Sequence, residues 1–170
     1  MTQQSAEDRL WRIFENVNKL LEYAEKKNGI VLVFIGFQLT FLNVLSAKID
    51  AWLLFALIIL GLCFLSTLWS FFPVTKISLL SRFYSNAFEE TSNEDNLLFY
   101  EHIRKYSHKD YSDAISKYFG VDVKGQKNLE DLCAQIVENS KIAAKKFNIF
   151  KVTVFLMIAG QLLLTLSLVL

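Results

Sequence analysis

Apolar residues in this chain are gathered into three runs, with charged stretches before the first and between the second and third. The runs are 29–47 (GIVLVFIGFQLTFLNVLSA), 51–72 (AWLLFALIILGLCFLSTLWSFF) and 149–170. Each is long enough to cross a bilayer, which takes roughly 17–25 apolar residues in a helix. Lys151, early in the third run, can extend its ammonium to the headgroups. Lys48-Ile49-Asp50 joins the first two runs, and so short a link predicts an antiparallel hairpin. Pro73 is expected to close the second helix where it leaves the membrane.

The stretch ahead of the first run is amphipathic. Leu10, Ile13, Val17, Leu20, Leu21 and Ala24 recur at helical spacing, and Ser5 with Asp8 resembles a capping box. No breaker follows Ala24, so the helix is expected to continue into the first run. Between the second and third runs, "NLLFYEHIRKY" reads as strand or short helix. "SHKDYSDAISKYFG" opens with Ser107 and Asp110 at capping-box spacing and closes at Gly120, a C-cap residue. "VDVKGQK" reads as a turn. Asn128 then suits the N-cap of a helix starting at Leu129, with acidic residues in its first turn. Nothing stops that helix before the end of the chain, which predicts one helix of about 40 residues and about 60 Å. The insert is too small to bury a large core alone. It is expected to lean on the N-terminal helix and on neighbouring subunits.

Composition sharpens this picture. Of 170 residues, 53% are hydrophobic, above the ~45–50% of soluble domains, and mean hydropathy is +0.32. A net charge of +1 suggests neither nucleic acid nor an acidic partner. Cys63 and Cys133 form no metal or disulfide pattern and read as reduced packing residues. The charged start does not resemble a secretory signal. Lys19, Lys26 and Lys27 precede the first run, Lys76 and Arg82 follow the second, and Lys141, Lys145 and Lys146 precede the third. All these cations fall on one face, which the positive-inside rule assigns to the cytoplasm. The hairpin tip and the C-terminus are then external. The resulting expectation is a mainly all-α membrane protein with three transmembrane helices and a cytoplasmic insert between the second and third. It divides into an amphipathic cytoplasmic helix (1–28), a transmembrane hairpin (29–72), the insert (73–148) and a third transmembrane helix (149–170).

Catalysis finds little support. His102 and His108 are isolated, and there is no phosphate loop or nucleophile elbow, so neither an enzyme nor a metal or cofactor is expected. Small and polar residues mark the spans instead. Cys63, Ser66, Thr67 and Ser70 share a face of the second. Thr153, Gly160 and Ser167 recur every seven residues in the third, and Gln38, Thr40 and Asn43 lie in the first. They predict packing within one three-helix protomer or, through Ser66, Ser70, Thr153, Gly160 and Ser167, an oligomer or pore face. In the insert, Tyr100 and Tyr106 flank Arg104 and Lys105. Rings stack on bases and cations neutralise phosphates, although juxtamembrane cations also follow from topology and anionic lipid. Gln135, Asn139 and Lys146 form a polar stripe, with Ser140 beside it. The stripe suits either a ligand pocket or hydrogen bonds to the N-terminal helix.

Four segments resemble the transmembrane effectors of Pycsar, the bacterial pyrimidine-cyclase antiphage system. They are "YAEKKNGIVLVFIG", "WSFFPVTK", "NLLFYEHIRKYSHKDYSDAI" and "AQIVENSKIAAKKFNIFK". Their order and spacing carry the resemblance from about Leu21 to the end, while "VTKISLL" after Pro73 departs from the family's small or basic residues. The resemblance implies an inner-membrane effector, not an enzyme. It would sense cyclic CMP or cyclic UMP from a partner cyclase in the cytoplasm and then impair the membrane. The positions it marks are Lys27, Pro73, Tyr100, Tyr111, Gln135, Asn139, Ser140 and Lys146. Read with the cations, the expected ligand contacts are Arg104, Lys105, Tyr111, Gln135, Asn139 and Lys146. The bilayer, the nucleotide and further copies of the chain are the expected partners. A constitutive membrane scaffold whose insert binds a protein is the competing expectation.

Overall fold

A computed structural model of the chain describes residues 3–45, 51–72, 90–120 and 122–169. All regular structure among them is helical: α1 (Gln3–Leu45), α2 (Ala51–Phe71), α3 (Tyr100–Ile103), α4 (His108–Phe119) and α5 (Lys127–Val169). The link at 48–50, Pro73, Lys76, Arg82 and Leu170 lie outside the described residues. So do the side chains of Ser5 and Asn43.

Both long helices run unbroken for 43 residues, about 65 Å each. Two expected starts are corrected. α1 begins at Gln3, ahead of Ser5. α5 begins at Lys127, so Asn128 is inside it and is not its cap. The reason lies in the preceding turn. Gly125, at φ 79°, donates its N–H to Glu130 Oε1 at 2.9 Å, and the Gln126 carbonyl accepts from Leu129 and Glu130. The ambiguous "NLLFYEHIRKY" holds a single short helix, α3. α4 starts and stops where its residues predict. Ser107 Oγ accepts from the Asp110 N–H at 3.1 Å, and Gly120 closes the helix in the left-handed region at φ 66°.

The chain divides into two compact units. The first takes Met1–Glu22 and Val74–Lys145. Its core joins Leu10, Ile13 and Val17 of α1 to Ile103, to Tyr111, Ile115 and Phe119 of α4, and to Leu129, Leu132, Cys133, Ile136 and Val137 of α5. The insert therefore leans on the N-terminal helix, as its size requires.

The second unit takes Tyr23–Pro73 and Lys146–Leu170. It contains α2 and the apolar part of α5, the two helices long and apolar enough to cross a membrane. Val31 and Ile35 of α1 pack with Cys63 of α2 and with Phe150 and Val154 of α5. Leu39 and Leu42 pack with Leu53, Ala56, Leu60 and Leu164. These levels make α2 antiparallel to the other two helices.

Candidate functional site

Two polar regions, one in each unit, carry the residues with chemistry. In the first unit the insert cations are matched to carboxylates. Arg104 Nε lies 3.1 Å from Glu101. Lys105 Nζ lies 3.1 Å from Asp95, whose side chain is almost wholly enclosed. Asp95 also accepts the Ser92 N–H at 2.9 Å. That backbone N–H and Lys105 hold its carboxyl below the usual range, against the opposing effect of burial. Tyr111 is fully buried, and its hydroxyl donates to the Leu97 carbonyl at 2.9 Å. Burial raises its pKa. Tyr111 is thus a core residue of the unit, not an exposed contact. Burial also pushes the Cys133 thiol up to about 12, so it is neutral and unreactive at physiological pH.

The polar stripe of α5 divides between the units. Gln135 is exposed. Asn139 Nδ2 donates to Asn18 Oδ1 at 2.7 Å within the first unit. Ser140 is fully buried, and its Oγ has no partner among the described residues. Lys146 belongs to the second unit. Of the two uses the sequence allows the stripe, hydrogen bonding to α1 is realised at Asn139, and Lys146 pairs with α1 as well.

Lys146 anchors the second region. It is 8% exposed, with Nζ 3.1 Å from Glu25 Oε1 and donating to the Ser70 carbonyl at 2.9 Å. Asn28, 1% exposed, donates to Ser70 Oγ at 2.6 Å and to the Lys146 carbonyl at 3.5 Å. Three helices thus meet at one level through α1 (Glu25, Asn28), α2 (Ser70) and α5 (Lys146). Lys27 sits nearby among aromatic rings, 4.5 Å from that of Tyr23, 5.0 Å from Phe150 and 5.7 Å from Phe147. Such cation–π contacts draw an ammonium to the ring faces.

The small-residue face of the spans is turned toward helices of the same chain. Ser66 and Thr153 hydroxyls are 3.1 Å apart. A Cβ on Gly160 would meet Ile59 at 3.3 Å and Leu60 at 3.4 Å, so this glycine lets α2 and α5 pack closely. Gln38 donates to Gln161. Ser167 is half-buried. Glu25, Asn28, Glu101, Asp95 and Asn18 were not expected as site residues. For Glu25 and Asn28 a signal existed, since they share a helical face and Asn28 immediately precedes the first apolar run.

No group of metal-ligating side chains occurs among the described residues. A cleft of about 540 Å³ opens in the first unit beside His108, Ser112, Lys124 and Asp131. Its walls mix carboxylates and cations, a composition that selects no single ligand charge.

The chain matches no curated protein and no solved structure. Residues 9–170 match the family model of the Pycsar effector protein domain, and both polar regions fall inside the match. The chain therefore belongs to the Pycsar effector protein domain family, PycTM.

Proposed function

We propose that this protein is an antiphage effector of the inner membrane. It senses cyclic CMP or cyclic UMP made by a partner pyrimidine cyclase, then impairs the membrane and stops the cell. The observation that carries the proposal is the family match, which spans both units. Two helices long and apolar enough to cross a membrane support it. The run at 29–47 supplies a third span, and the one-sided cations orient the N-terminus and insert toward the cytoplasm. The nucleotide acts by binding one arrangement of the helices better than another. If it uses Arg104, Lys105 or Lys146, its phosphate must replace Glu101, Asp95 or Glu25 as the counter-charge.

The test is calorimetry on the detergent-purified protein with cyclic CMP, cyclic UMP, cyclic AMP and cyclic GMP. Saturable binding of a pyrimidine nucleotide, with none of the purine ones, is the expected result. No binding of either pyrimidine nucleotide would sink the sensing role and favour a constitutive scaffold.

A further inference from the structure

The three-helix unit pairs much of its polarity within itself. Asn28 pairs with Ser70, Ser66 with Thr153 and Gln38 with Gln161. Thr40, Thr67 and Thr165 return their hydroxyls to carbonyls four residues back in their own helices. What faces outward is mainly apolar: Val33, Phe37, Leu62, Leu65, Phe155 and Leu162 are all exposed, with Thr40, Lys151, Gln161 and Thr165 among them. Such a surface suits lipid, and the polar side chains just named are taken up by one another or by their own backbone. For the unit to impair a membrane, these helices must part or turn.

One contact in the seam differs from the rest. The cross-helix hydrogen bonds just named are neutral, whereas Lys146 is an ion held out of water. Its charge is balanced by Glu25 and one carbonyl. Removing the partner of an enclosed charge costs far more than removing a neutral hydrogen bond. Glu25 is itself half exposed, its side chain 49% accessible, so the pair can be undone from its accessible side. We infer that the Lys146–Glu25 pair, with Asn28 and Ser70, is a latch that keeps the three-helix unit closed, and that its release turns the unit against the membrane. The inference rests on the membrane-impairing function proposed above and names the contact that regulates it.

The two halves of the pair make opposite predictions. Glu25→Gln leaves the Lys146 ammonium enclosed without a counter-charge and drives the seam open. Lys146→Met removes the enclosed charge, fills the same space with an apolar chain and leaves Glu25 to water. That change keeps the seam closed, because an apolar replacement of a buried ion is often neutral or stabilising. A pair that contributed only stability would shift the two melting temperatures in these directions and leave the leakage of the folded variants unchanged.

The experiment is dye release from vesicles of phosphatidylethanolamine and phosphatidylglycerol carrying the full chain. Circular dichroism and a monodisperse detergent elution establish that each variant is folded. Without nucleotide, Glu25→Gln should leak as fast as wild type treated with cyclic CMP or cyclic UMP, and Lys146→Met should stay tight with either nucleotide while still binding it in calorimetry. If Glu25→Gln stays tight while wild type leaks on nucleotide, the latch is overturned. Should Glu25→Gln fail to fold, Lys146→Met carries the test, and its leaking on nucleotide as fast as wild type overturns the inference. If wild type stays tight with both nucleotides but Glu25→Gln leaks, the latch stands and the ligand assignment falls. Silence of both overturns the membrane-impairing reading and the latch with it.

Discussion

Asp95 shows how single residues set the behaviour of the first unit. Its enclosed carboxylate accepts from the Ser92 N–H and from Lys105, which hold it below the usual Asp range. Glu138 is shifted the same way. Burial works against it, but Lys141 and His108 prevail. A carboxyl whose folded pKa is depressed stabilises the fold above the unfolded value, about 4, and that stability is lost as pH falls through the lower folded value. The melting temperature in detergent should therefore hold between about pH 7 and pH 5 and fall steeply below about pH 4. Asp95→Asn should lower it at neutral pH and flatten the acid limb; an unchanged acid limb would assign the sensitivity elsewhere. Ser140 gives a prediction of opposite sign. Its buried, unpartnered hydroxyl costs stability, so Ser140→Ala should be neutral or stabilise by up to about 1 kcal/mol. If the variant keeps its stability but loses nucleotide binding in calorimetry, Ser140 is a ligand contact as well as a packing residue.

At the scale of elements, what could be read from the sequence was local. The spacing of Leu10, Ile13 and Val17 marks the face of α1 that the core uses, and the absence of breakers marks both 43-residue helices. Ser107, Asp110 and Gly120 bound α4 because capping and a positive φ depend on a few adjacent residues. Ser107→Ala should therefore cost about 1 kcal/mol in thermal unfolding, with hydrogen exchange rising first in the opening turn of α4. Exchange unchanged there would mean that packing alone fixes the start of the helix. The start of α5 was misread because Asn128 is a good cap by type, yet the nearby turn already gives Gly125 to Glu130. The N-terminal helix was one of two destinations expected for the stripe, but the particular partners of Asn139 and Lys146 were not legible. They lie 121 residues away at Asn18 and 76 residues away at Ser70, and no local pattern encodes pairing over such separations.

For the whole molecule, the account is that of a membrane effector whose three-helix unit is held closed until a nucleotide is bound. The topology proposed for it rests on the one-sided Lys and Arg flanks. Reporter fusions after Leu170 and within the insert at Gly125 should give opposite signals, and matching signals would contradict a third crossing. The central claim is that a pyrimidine-cyclase product turns this chain against the membrane. It is tested most directly by the membrane potential of bacteria that express the chain with a pyrimidine cyclase, read by a voltage-sensitive dye beside a catalytically dead cyclase. The account predicts depolarisation and growth arrest only with the active cyclase. Cells that remain polarised and dividing while cyclic CMP or cyclic UMP accumulates would contradict it.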